Sequence, residues 1–89
     1  MNPTAAQREE LELFGRTCID RVRNYLESEE DRRFTLRLMH RRSHNLLAAF
    51  GIVPPESRND CLKAACDIYA QYTNQIVAEN DARLNRMRR

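Results

Sequence analysis

Tryptophan is absent from this 89-residue chain, which also has only two glycines, three prolines and 7% aromatic residues. A β-rich fold needs frequent turn residues and aromatic or β-branched strands, so this scarcity favours helices. No stretch approaches the roughly 20 apolar residues of a membrane span, and none resembles the apolar core of a signal peptide. A soluble, cytoplasmic protein with no membrane partner is therefore expected. The cysteines number three, an odd count, and without a secretory signal they read as reduced thiols. Glycine-rich phosphate loops and a nucleophile at a strand-to-helix elbow are also missing. The expectation is a protein without enzymatic activity or cofactor.

Lysine is nearly absent as well: one against fourteen arginines. Arginine is the better side chain for two-pronged contacts with carboxylate or phosphate. The net charge of +2 conceals strong segregation, with −4 over residues 1–31, +5 over 32–44, −3 over 45–81 and +4 over 82–89. Two basic segments thus lie between acidic ones. That pattern allows internal pairing as readily as it allows a polyanion to bind.

What is present is organised around Ser28 to Gly51. Ser28 with Glu29, Glu30 and Asp31 places oxygen acceptors and negative charge where a first helical turn has unpaired amides. Gly51 followed by Pro54 and Pro55 closes the same helix. At about 100° per residue, Leu36, Met39, Ser43, Leu46, Leu47 and Phe50 form a core stripe. Beside it runs a cationic stripe of Arg33, Arg37, Arg41, His40 and His44, with no acidic residue from Arg32 to Ala49. Phe34, Leu38 and Ala49 fall roughly opposite the core.

A helix apolar on two sides and basic on a third has more to bury than one neighbour covers. In the plainer reading, Phe34 and Leu38 touch the third helix and the arginines are a solvated face paired with acids elsewhere. In the sharper one, Phe34 and Leu38 are an interface, because contiguous exposed apolar surface on a small protein is usually occupied.

The flanking segments are also helical. Thr4 to Gln7 has capping-box spacing, and Leu11, Phe14, Gly15, Cys18, Ile19, Val22, Tyr25 and Leu26 share an arc wide enough to face two helices. The polar ESEED stretch separates this helix from the next, and an antiparallel return buries both stripes. Pro55 suits a first helical position, and a stripe of Leu62, Ala65, Cys66, Tyr69, Tyr72, Thr73, Ile76, Val77, Leu84 and Met87 follows. Helical to its end, this third segment outreaches the other two. The overhang either frays or pairs with a second copy through Ile76, Asn80, Arg83, Leu84 and Met87, where polar Asn80 and Arg83 set the register.

The expected fold is all-α: a single helical domain over 1–89, with amphipathic helices at about 4–27, 29–50 and 55–87 in a small antiparallel bundle that dimerises. His40 and His44, four apart, have the spacing to share a metal with Cys61 and Cys66, but neither CxxC nor HExxH is present and no metal is expected. A phosphotransfer role for His40 lacks the small neighbour that exposes such an imidazole. The functional expectation is a regulatory interaction protein, of the inhibitor or adaptor type, acting as a homodimer. It binds an acidic patch on a protein partner through Phe34, Leu38, Arg33, Arg37, Arg41 and His44. The alternative is a nucleic-acid-binding regulator that uses the same arginines together with Arg83, Arg86, Arg88 and Arg89.

Overall fold

A computed structural model describes residues 2–24 and 28–88. Three helices, α1 (Ala5–Asn24), α2 (Glu29–Ala49) and α3 (Arg58–Met87), make up the secondary structure among them. Tyr25, Leu26 and Arg89, singled out in the sequence, lie outside the described residues.

The local signals explain where each helix begins. Thr4 and Gln7 form a reciprocal cap: the Thr4 amide donates to Gln7 Oε1 at 2.8 Å and the Gln7 amide to Thr4 Oγ1 at 3.2 Å. Ser28 is extended (φ −112°, ψ 159°) and its Oγ accepts from the Asp31 amide at 3.1 Å. Helix α3 starts three residues later than the Pro55 start read from the sequence. Ser57 is its N-cap, accepting from the Asp60 amide at 3.5 Å, while both prolines stay in the connection. A side-chain acceptor satisfies an otherwise orphaned amide; a proline merely lacks one.

Helix α2 ends as its glycine requires. Gly51 takes φ 72°, its amide donates to Ala48 O at 3.0 Å, and the Ile52 amide donates to Leu47 O at 2.9 Å. This is the paired hydrogen-bond closure of a Schellman motif.

Helices α1 and α2 are antiparallel, tied end to end by Gln7 Nε2 donating to Ala49 O at 3.2 Å. Helix α2 is central and packs against both others, whereas α1 and α3 meet only narrowly. The core comprises Leu11, Phe14, Leu46 and Ala65, with Cys18, Phe50, Ile68, Tyr69 and Tyr72 packed on it. Phe14 and Tyr69 stack at a tilt, centroids 5.7 Å apart. Met39, Leu47 and Cys61 are also buried. Three hydroxyls sit in buried positions, and each donates to a carbonyl four residues back: Thr17 to Leu13, Thr35 to Asp31 and Ser43 to Met39, all at 2.8 Å.

Several expected core positions are open. Leu36 of α2 is 43% exposed, and Ile19 and Val22 are more so, since among the described residues no helix covers that side of the C-terminal half of α1. In α3 the inward face is rotated: Cys61 is fully buried and Cys66 is exposed, the reverse of the sequence expectation. Every residue from Ile76 to Arg88 is exposed, so α3 does overhang, and it continues as helix rather than fraying. Among the described residues no helix is long and apolar enough to cross a membrane.

Candidate interaction surfaces

The outer face of α2 brings together four of the six expected partner-binding residues. Phe34, Arg37, Leu38 and Arg41 recur at i, i+3, i+4 and i+7 and line one open groove. Phe34 is 61% exposed and Leu38 half-buried, so Phe34 at least is not covered by α3. Arg37 and Arg41 are exposed, and among the described residues neither meets a counter-charge. Arg33 does pair, binding Glu29 Oε1 at 2.8 Å one turn back. That pair is widely exposed on both sides and contributes little to stability.

Arg33 and His44 lie apart from the groove. Arg33 and Leu36 border two neighbouring recesses, one lined also by Glu29, Glu30, Arg37 and Arg58, the other by Glu29, Arg21 and Arg32. One recess lies between α2 and α3 and the other between α1 and α2, and the helical phase that puts Leu36 on the core stripe reveals neither. The signal lay in its neighbours: a leucine among Arg32, Arg33 and Arg37 cannot be sealed without burying charge. His44 is exposed, and its ring stands edge-on to that of half-buried His40, centroids 6.1 Å apart.

The second surface is the overhang of α3. Ile76, Val77, Leu84 and Met87 are 37%, 56%, 52% and 75% exposed, and Asn80 and Arg83 are exposed between them. Glu79 accepts from Gln75 Nε2 at 3.2 Å. Asp81, Arg83, Arg86 and Arg88 make no ion pair among the described residues.

The thiols are poorly suited to nucleophilic or metal chemistry. Burial raises all three above the ordinary value of 9.0. Neighbouring Cys66 raises Cys18 further and Asp67 raises Cys66, while Arg21 pulls both down. A thiol that keeps its proton is a weak nucleophile and a weak ligand. Among the described residues no group of three or more His, Cys, Asp or Glu is placed to hold a metal.

Together these features define an all-α protein of three packed helices with two open helical faces, one apolar and cationic, the other apolar and of mixed charge. No protein-family model, curated protein or solved structure matches the chain.

Proposed function

We propose that this chain is a non-enzymatic regulatory interaction protein, an inhibitor or adaptor in type, that docks the outer face of α2 onto an acidic patch of a protein partner and works as a homodimer. The observation that carries the reading is the groove in which exposed Phe34 and half-buried Leu38 lie beside Arg37 and Arg41, two arginines with no counter-charge among the described residues. An aromatic anchor flanked by arginine is the composition that concentrates binding energy at protein interfaces. Covering Phe34 alone contributes on the order of 2 kcal/mol. The arginines set orientation and speed of encounter with an acidic surface more than they set affinity.

The test is a co-precipitation from lysate comparing three forms of the protein: unaltered, Phe34→Asp with Leu38→Asp, and Arg37→Glu with Arg41→Glu. A docked protein partner is lost completely with the apolar changes and only weakened by the arginine changes. Phosphate recognition predicts the opposite order. It also predicts micromolar or tighter binding to generic duplex DNA or single-stranded RNA that collapses as salt rises. That result would replace the protein partner with a nucleic acid.

A further inference from the structure

We infer, building on the homodimer reading above, that two copies pair antiparallel through residues 76–88 of α3, which sets their two α2 docking faces at opposite ends of one elongated particle. The overhang exposes Ile76, Val77, Leu84 and Met87 along one side, with no other helix against it among the described residues. A strip of that kind is usually covered by something. What distinguishes the occupant is the order of charge along the strip. Its first half carries only acids, Glu79 and Asp81, and its second half only bases, Arg83, Arg86 and Arg88.

A twofold axis crossing the helices near Ala82 lays the acidic half of each copy against the basic half of the other, twice over by symmetry. It also places Asn80 of one copy near Leu84 of the second, and Val77 near Met87. A twofold axis along the helices instead sets acid beside acid and arginine beside arginine. Only the antiparallel pairing satisfies the apolar strip and the charge order together. An acidic foreign helix would suit the arginines and clash with Glu79 and Asp81.

Size follows directly. The protomer is 53 Å long, an extent that its longest helix, about 45 Å at 1.5 Å per residue, must dominate. Overlap over residues 76–88 is about 20 Å, so the antiparallel dimer measures roughly 85 Å. A parallel pair stays close to the length of one protomer.

Sedimentation equilibrium and small-angle X-ray scattering on the whole protein test this in sequence. A dimer with a maximum dimension near 85 Å is the expected result, and Leu84→Glu, at an exposed position, should return it to monomer. Glu79→Arg with Asp81→Arg should weaken the dimer about tenfold, and adding Arg86→Glu and Arg88→Glu to those changes should restore it. A monomer at 100 μM or so would overturn the homodimer reading itself. A dimer indifferent to Leu84→Glu would move the seam elsewhere. If the dimer depends on Leu84 but measures near 55 Å, or is untouched by the acid-to-arginine pair, the antiparallel arrangement is wrong while the homodimer stands.

Discussion

The hydroxyl of Tyr69 stands over the backbone of Gly15, only 2.5 Å from where a Cβ on that residue would lie, and the ring carbon behind it is 3.0 Å away. Here α1 and α3 touch, and the contact depends on the missing side chain. Gly15→Ala adds a methyl that must push a stacked, partly buried ring off Phe14, a cost of about 1–3 kcal/mol. Alanine returns about 1 kcal/mol through better helix propensity. A net loss of about 1 kcal/mol in urea unfolding is expected; a net gain would show that the ring swings aside freely.

Gly51 poses the opposite case. No atom lies within 4 Å of a Cβ built on it, yet its φ is +72°, so a substitution there strains only the backbone. Gly51→Ala should destabilise by about 1–2 kcal/mol, and Gly51→Asn by less, since asparagine tolerates this conformation. Equal losses for both, read from denaturant midpoints, would mean that the space around the site matters after all.

Burial separates two apolar residues of the same helix. Leu46 is fully buried and Phe34 is 61% exposed. Leu46→Ala should cost about 2–4 kcal/mol, whereas Phe34→Ala should stay within about 0.5 kcal/mol of the unaltered protein. If Phe34→Ala lowered the melting temperature as far as Leu46→Ala, the residue would belong to the fold and not to a partner.

Alkaline pH should loosen the fold through Cys61. Burial raises its thiol above the ordinary 9.0. Below that value folded and unfolded thiols both keep the proton, and nothing changes with pH. Above it the unfolded thiol ionises first, so stability falls as pH climbs through 9 toward the folded value. Comparing unfolding at pH 7.5 and 9.5 should show a larger loss for the native cysteine than for Cys61→Ala. An equal loss in both would assign the effect to other groups.

Capping chemistry was legible because it is written in adjacent residues. Thr4 with Gln7 and Ser28 with Asp31 open their helices, and Gly51 closes α2, as the sequence implied. The three-helix fold class was legible from periodicity for the same reason. What periodicity could not supply is the angle at which a third helix meets the other two. The apolar arc of α1 suggested two neighbours along its whole length, yet α3 meets it on the side of Phe14, Gly15 and Cys18, leaving Ile19 and Val22 open. The same limit explains the exchange of Cys61 and Cys66: the late start at Arg58 follows from the Ser57 cap, but the rotation of α3 about its axis follows from three-body packing, which no single stripe encodes. The groove residues were found because all four sit on one helix. The recesses beside Leu36 were not, because one needs Arg21 of α1 and the other Arg58 of α3.

That confinement to α2 has a practical meaning. The helix bearing Phe34, Arg37, Leu38 and Arg41 carries its own start in Ser28 and its own stop in Gly51. The proposed docking face is therefore portable: a synthetic peptide spanning residues 28–52 contains all four groove residues and both end signals. In isolation a helix of this length is only partly populated, so the peptide should compete with the intact protein for the same partner at reduced affinity. An epitope assembled from several helices could not be lifted out in this way.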